Sequence, residues 1–91
     1  MKLTIKTTKR FDKDLNKLKK RKYDLKLLAK IINKLSDSEI LPEKYRYHYL
    51  TGNYKGFREC HIQPDWLLIY KIEKNILVLT LSRTGTHSDL F

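Results

Sequence analysis

The 91-residue sequence has few of the residues that stabilise secreted domains or form linkers. A single cysteine, Cys60, excludes an internal disulfide and is typical of a reducing compartment. Only three glycines and two prolines are present, and we find no repeats, low-complexity stretches or linkers. The longest hydrophobic run, residues 66–70, is far too short to span a bilayer, and the first residues lack the apolar stretch of a signal peptide. We therefore expect a cytoplasmic protein with no membrane partner.

Acidic side chains are also scarce. Asp and Glu number 10 against 20 Lys and Arg, which gives a formal net charge of +10. Repulsion among like charges opposes folding, so a polyanionic partner best explains the imbalance, with nucleic acid first and an acidic protein second. The hydrophobic fraction of 41% is that of an ordinary globular protein, and a chain of this length can bury one core. We expect one domain, residues 1–91.

The first half of the sequence predicts a strand followed by two helices. Residues 3–7 alternate apolar and polar side chains, as a half-buried strand does. Apolar residues then recur at spacings of four and three from Phe11 to Leu18, directly after a candidate N-cap, Thr8. A second amphipathic helix is predicted to begin near Asp24 and to end at a Ser-Asp-Ser run.

The second half predicts strands joined by short loops, which favours antiparallel neighbours. Residues 45–50, 57–62, 66–70 and 76–81 have strand character, and the continuous apolar run at 66–70 is typical of a central strand. Residues 83–91 are predicted to form a turn-rich tail. The expected fold class is α+β, with two N-terminal helices packed on one face of a mostly antiparallel four- to five-stranded sheet.

Three histidines and two carboxylates are the candidate catalytic groups. His48, His61 and His87 can accept and donate protons near neutral pH. Glu59 lies two residues before His61 on a predicted strand, so the two side chains share a face and the carboxylate can fix the tautomer of the ring. Asp65 lies in a Gln-Pro-Asp turn. Taken one at a time, these residues are equally consistent with a solvent-facing strand or an ordinary turn.

Aromatic and basic side chains near the histidines predict contact with RNA, because rings stack on unpaired bases while Arg and Lys hold phosphates. Trp66 and Phe91 are candidates to hold a base, although both also fit positions in or at the edge of the core. Arg83 is a candidate to stabilise a charged phosphate. Arg46 and Lys55 are further candidate RNA contacts.

A metal site and a cysteine nucleophile are not predicted. No pair of His, Cys or Asp residues has a standard zinc spacing, and Cys60 and His61 point to opposite faces of a strand. Cys60 is expected to be buried and therefore inert. A Gly-rich phosphate loop and a Gly-x-Ser-x-Gly element are both missing. We expect no metal and no cofactor.

Three segments carry a resemblance to a known family. They are residues 48–52, 54–71 and 83–91, which read HYLTG, YKGFRECHIQPDWLLIYK and RTGTHSDLF. In these segments and in overall length and element order, the chain resembles the YafQ branch of the RelE toxin superfamily. The resemblance implies a RelE-like microbial RNase fold. It also implies a toxin of a type II toxin–antitoxin pair, an endonuclease that cuts messenger RNA mainly on the translating ribosome.

The resemblance places the family's functional positions on residues already singled out, namely His48, Glu59, His61, Asp65, Trp66, Arg83, His87 and Phe91. RelE itself uses Lys, Arg and Tyr where this chain has histidines, so the superfamily alone leaves the acid and the base open. In RNA cleavage the 2′-OH attacks the phosphate while a base takes its proton and an acid protonates the leaving oxygen. We expect His87 to be the acid and either His61 or His48 to be the base.

The implied partners are messenger RNA, the ribosome and a cognate antitoxin with an acidic toxin-binding segment. Together with the antitoxin, operator DNA is a further expected partner. Lys13, Lys17 and Lys20 on the first helix are predicted to contact ribosomal RNA phosphates, with a solvated helix face as the alternative. The alternative function is a non-catalytic RNA- or DNA-binding module of the same fold. The sequence leaves the codon preference open.

Overall fold

A computed structural model describes residues 2–91. The strands are β1 (Thr4–Thr7), β2 (His48–Tyr49), β3 (Arg58–Gln63), β4 (Trp66–Glu73) and β5 (Val78–Gly85), and the helices are α1 (Lys9–Lys20), α2 (Leu25–Ser36) and α3 (His87–Leu90). The five strands form one sheet in the order β1-β5-β4-β3-β2. Only the β1–β5 pair is parallel, and the other three pairs are antiparallel. The predicted α+β fold, with two N-terminal helices and a mostly antiparallel sheet, is confirmed.

Side-chain caps start both long helices where the sequence predicts. The backbone N–H of Phe11 donates to Oγ1 of Thr8 at 3.0 Å, and the N–H of Lys26 donates to Oδ1 of Asp24 at 3.1 Å. Each cap satisfies one of the N–H groups that a helix N-terminus leaves without a partner, worth about 1 kcal/mol. Within residues 2–91, no helix combines the length and the hydropathy that crossing a membrane requires.

The core lies on both faces of β4. Residues 66–70 of this strand are each at most 1% exposed, as expected for a central strand. On one face, Leu68 and Tyr70 pack with the apolar stripes of α1 and α2. On the other face, Leu67 and Ile69 pack with Leu90 of α3. Burying an aliphatic side chain of this size stabilises the fold by about 1.5–3 kcal/mol, so α3 is anchored to the sheet by apolar contact.

Two predicted segments differ from the structure. The strand predicted over 76–81 is present with shifted bounds, since β5 runs from Val78 to Gly85, and the tail predicted over 83–91 is wrong, because it contains the end of β5 and the helix α3. Leu77 has φ 55°, a left-handed conformation that keeps it in the turn before the strand. After a register shift that leaves Ser82 without a partner on β4, residues 83–85 extend the strand because they pair with β4 as far as Leu67, which faces Gly85.

The predicted strand over 45–50 is shorter than expected. Residues Glu43–Tyr45 form a 3₁₀ helix, and only His48–Tyr49 pair with β3. Tyr45 is buried at 9% exposure, so its ring belongs to the core rather than to an edge strand. Arg46 then adopts φ 46°, which ends the 3₁₀ helix and prevents the strand from beginning earlier.

Candidate active site

Strand pairing brings two histidines to one carboxylate. His48 of β2 lies opposite Glu59 of β3, and His61 follows Glu59 by two residues on the same face. Oε1 of Glu59 lies 3.1 Å from Nε2 of His48 and 3.3 Å from Nε2 of His61. Glu59 itself is only 5% exposed, so the two rings supply the polar partners that a buried carboxylate requires.

Backbone carbonyls hold the other nitrogen of each of these rings. Nδ1 of His48 lies 3.1 Å from the carbonyl oxygen of Arg46, and Nδ1 of His61 lies 3.3 Å from that of Pro64. Carbonyl and carboxylate oxygens only accept hydrogen bonds, so both nitrogens of each ring face acceptors, and a neutral ring donates to one of them. Contacts on both sides fix the plane of each imidazole before any substrate arrives.

The third histidine is held by Asp65. Nδ1 of His87 lies 2.8 Å from Oδ1 of Asp65, and the backbone N–H of His87 donates to the same oxygen at 3.1 Å. These hydrogen bonds from His87 lower the pKa of the Asp65 carboxyl, so it stays ionised as the ring's acceptor. Within residues 2–91, Nε2 of His87 has no hydrogen-bond or ion-pair partner. It is therefore free to exchange a proton with a substrate.

The three rings stand in a row that continues to the C-terminus. Ring centroids are 6.3 Å apart for His48 and His61, 5.8 Å for His61 and His87, and 6.5 Å for His87 and Phe91. Phe91 is 63% exposed and also contacts the ring of Tyr54. The structure thus brings together His48, Glu59, His61, Asp65, His87 and Phe91, which the sequence singled out as separate candidates.

A capping box fixes α3 and with it His87. The N–H of Asp89 donates to Oγ1 of Thr86, and the N–H of Thr86 donates to Oδ2 of Asp89. Arg21 of α1 reaches both carboxylate oxygens of Asp89, at 2.8 and 3.2 Å, and holds the pKa of Asp89 well below its usual range. Sequence reasoning missed this element, although Thr and Asp three residues apart are a signal for it.

The predicted base contact by Trp66 is wrong. Its side chain is 1% exposed, its Nε1 donates to Oγ1 of Thr84 at 3.0 Å, and its ring packs edge-on against Tyr23 with centroids 5.0 Å apart. An indole with its N–H satisfied and its faces covered has no surface on which a base can stack. Trp66 is therefore a core residue that packs between Thr84 of β5 and Tyr23.

Arg83 is paired with Asp14 of α1. Its Nε and Nη2 donate to the two carboxylate oxygens of Asp14 at 2.7 and 3.0 Å, and the N–H of Thr84 donates to Asp14 at 3.2 Å. Hydrogen bonding to Asp14, and then to Tyr54, raises the pKa of the guanidinium. The charge of Arg83 is thus balanced, and the pair joins β5 to α1. Asp14 is a residue that the sequence analysis missed.

The other predicted residues lie outside the row of rings. Lys13, Lys17 and Lys20 are exposed on α1, and Arg46 and Lys55 are exposed in the segments around β2. Lys17 Nζ lies 4.0 Å from Asp89, which links the lysine-rich helix to α3.

Cys60 is fully buried, as predicted, and burial raises the pKa of its thiol to about 12. A search of residues 2–91 finds no group of three or more His, Cys, Asp and Glu side chains arranged to hold a metal ion.

The chain is similar in sequence to known bacterial toxins. The profile of a family described as the bacterial toxin of type II toxin–antitoxin system, YafQ, matches residues 3–91. The mRNA interferase toxin YafQ of Escherichia coli strain K12 is 39% identical over 82 residues, which cover 89% of this chain and 87% of that protein. The enzyme class predicted from the sequence, a messenger-RNA endoribonuclease, is the class that this relative's name gives.

Solved structures of such toxins have the same fold. The crystal structure of a metal-bound toxin from Helicobacter pylori is 52% identical with a TM-score of 0.91, over 98% of this chain and 99% of that one. YafQ in the E. coli DinJ–YafQ toxin–antitoxin complex is 36% identical with a TM-score of 0.90, over 100% of this chain and 99% of that one. The profile match over residues 3–91 and these likenesses show that the chain belongs to the YafQ family of bacterial toxins of type II toxin–antitoxin systems.

Proposed function

We propose that this chain cleaves messenger RNA on the translating ribosome and so inhibits translation. The observation that carries the proposal is the position of His87. Asp65 orients its ring through Nδ1, Nε2 is free, and the centroid of the ring lies 5.8 Å from that of His61. Two imidazoles at this separation can serve the two oxygens of one phosphodiester, because the acid and the base of RNA cleavage act on either side of the same phosphorus.

The proposed reaction is an attack of the 2′-OH on the adjacent phosphate without a metal. A base takes the 2′-OH proton, the O2′–P bond forms, and the P–O5′ bond breaks as an acid protonates the leaving oxygen. The products are a 2′,3′-cyclic phosphate and a 5′-OH. We assign the acid to His87 and the base to His61 or His48, with Glu59 facing both of those rings. Each group contributes about 10²–10⁴-fold.

The remaining groups hold the substrate or the site. Phe91 is exposed beside His87 and is assigned to stack on a base. Arg46 and Lys55 are exposed cations assigned to phosphates. We assign Arg83 to positioning β5 against α1, since Asp14 already occupies two of its donors.

We further propose that a cognate antitoxin neutralises the chain through an acidic segment, and that the pair binds operator DNA. The support is twofold. A family member of known structure forms a toxin–antitoxin complex, and this chain carries a net charge of +10 that an acidic segment would balance.

Expression of the chain alone tests the proposal. We expect wild type to arrest growth, and His87→Gln to relieve the arrest while the purified variant keeps its unfolding midpoint. Protein treated with EDTA and then freed of the chelator should cut ribosome-bound message in Mg²⁺ buffer as untreated protein does. A toxic His87→Gln variant would favour the non-catalytic binding module, and loss of cutting after this treatment, restored by an added transition metal, would contradict the metal-independent mechanism.

A further inference from the structure

A cleft of about 380 Å³ borders His61. It lies between α2, the 3₁₀ helix Glu43–Tyr45 and the turn that follows β3. Its volume is within the range of sites that hold small ligands, roughly 300–1,000 Å³. The rings follow one another in the order Phe91, His87, His61 and His48, and the cleft borders His61, two rings away from Phe91.

Three cations line the cleft and no carboxylate does. Lys30 comes from α2, and Lys44 and Arg46 come from the segment before β2. In the described part of the chain none of the three takes part in an ion pair, whereas Lys17 and Lys34 each have an acidic neighbour. Three cations around one opening, with no internal counter-charge, match the charge of a phosphate backbone.

Apolar side chains lie between these cations. Leu27, Ile62 and Pro64 contribute to the walls of the cleft. An opening that combines apolar walls with cations at its edge suits a nucleotide, whose base and ribose are largely apolar on their faces and whose phosphate is charged. A purely acidic peptide would use the cations but would leave the apolar walls uncovered.

The same segments that form the cleft also hold the catalytic rings. The carbonyl oxygen of Arg46 lies 3.1 Å from Nδ1 of His48, and that of Pro64 lies 3.3 Å from Nδ1 of His61. The left-handed backbone of Arg46, with φ 46°, directs its carbonyl to the ring while its side chain lines the cleft. An occupant of the cleft therefore lies directly beside the proposed site of bond cleavage.

Resting on the proposed ribonuclease function, we propose that this cleft binds the nucleotide next to the scissile phosphate, on the side opposite to the one held by Phe91. Lys30 and Lys44 bind phosphates of that part of the strand, and Arg46 binds the phosphate nearest to His61. The messenger RNA strand then crosses the site from Phe91, over His87 and His61, into the cleft. Lys30 and Lys44 thereby become substrate-binding residues that the sequence did not indicate.

The test measures binding of an uncleavable RNA oligonucleotide, with 2′-O-methyl groups at every position, by fluorescence anisotropy over a range of salt concentrations. We compare wild type with Lys30→Ala/Lys44→Ala and with the charge-matched control Lys6→Ala/Lys74→Ala, whose lysines lie outside the cleft. We expect the cleft variant to lose about 10-fold in affinity and about 1.4 in the slope of log K against log salt, the value for two phosphate contacts on a single strand. The control should keep the wild-type slope.

A series of oligonucleotides distinguishes this subsite from general attraction to charge. An RNA extended by two nucleotides at the end that enters the cleft should bind more tightly to wild type but not to the cleft variant. An RNA extended at its other end should bind more tightly to both proteins, by the same factor. Equal slopes for wild type and cleft variant would overturn the inference while leaving the ribonuclease function standing. A cleft variant that binds RNA normally but escapes its antitoxin would overturn it in favour of an antitoxin site. Wild type that cuts no message, even on ribosomes, would overturn the ribonuclease function and this inference with it.

Discussion

At the scale of single residues, the candidate site depends most on Glu59. Its buried carboxylate faces His61 from its own strand and His48 from the neighbouring strand, within 3.3 Å in both cases. Because one oxygen meets both rings, any change in its charge alters the two histidines together. His87 is independent of it, since Asp65 holds that ring from a different turn.

Glu59→Gln tests this dependence. The amide keeps the shape of the side chain but loses its charge and places a donor or a neutral acceptor against the rings. We expect cutting of a ribosome-bound message to fall by about 10²-fold, the cost of displaced reacting groups, measured as a single-turnover rate. Glu73→Gln, at the far end of β4, is the matched control and should cut at the wild-type rate. Equal rates for the two variants would remove Glu59 from the mechanism.

Residues of the site could be found from the sequence where one strand alone decides their geometry. Glu59 and His61 are two apart on a strand, so their common face follows from the period of the strand. Asp14 could not be found, because its partner Arg83 is 69 residues away and only packing brings α1 to β5. Trp66 was assigned wrongly because residue type alone does not distinguish an aromatic side chain in a core from one on an RNA-binding surface.

At the scale of elements, the short helix α3 is what places His87. A four-residue helix is too short to be stable by itself. It is held by its capping box, by Leu90 in the core and by the contact of Asp89 with Arg21. Gly85 is needed at its start, because a Cβ on this residue, at φ 155°, would come within 3.0 Å of Oδ2 of Asp89.

Asp89→Asn should therefore lower stability in a way that depends on pH. The pKa of Asp89 is lowered in the folded protein, so its stabilising contribution is present above the unfolded pKa of about 3.9 and is lost as pH falls towards the folded value. We expect the variant to lose about 1 kcal/mol in the free energy of unfolding at pH 7, since the contact with Arg21 is partly exposed.

Urea unfolding of both proteins between pH 7 and pH 2.5 measures this difference. The difference in the free energy of unfolding between wild type and variant should stay constant down to about pH 5 and shrink below about pH 4. A difference that is the same at every pH would show that the charge of Asp89 contributes nothing.

The elements themselves were predictable to the extent that the pattern of side chains is local. The cap Thr8, the start of α2 near Asp24 and the central run 66–70 were found because each signal lies within one element. The end of β5 was not found, because residues 83–85 are polar or small and become a strand only by pairing with β4. The short β2 was overestimated because Tyr45, which suits a strand by type, is buried in a 3₁₀ helix.

At the scale of the whole molecule, positive charge covers surfaces that the chemistry does not use. The lysines of α1 are exposed, and Lys17 touches Asp89 on the helix that carries His87. An exposed lysine surface of this kind can bind phosphates of the ribosome while the row of rings contacts the messenger RNA. Such contacts act over a distance and weaken with salt.

Lys13→Glu/Lys20→Glu tests this role and leaves Lys17 beside Asp89 in place. We expect ribosome binding, measured by co-sedimentation at physiological salt, to weaken by about 10-fold or more. The control Lys26→Glu/Lys74→Glu changes the net charge equally on other surfaces. If both variants weaken binding to the same extent, net charge alone accounts for it and α1 has no specific role.

The central claim is that His87 takes part in cutting messenger RNA on the ribosome. The most direct measurement is primer extension on a defined message in a reconstituted translation mixture, with wild type and His87→Gln side by side. His87 is exposed, so the substitution should leave the fold intact and isolate the chemistry. We predict discrete cuts within codons for wild type and none for the variant. Cuts of equal strength from the variant, or none from folded wild type, would contradict the account.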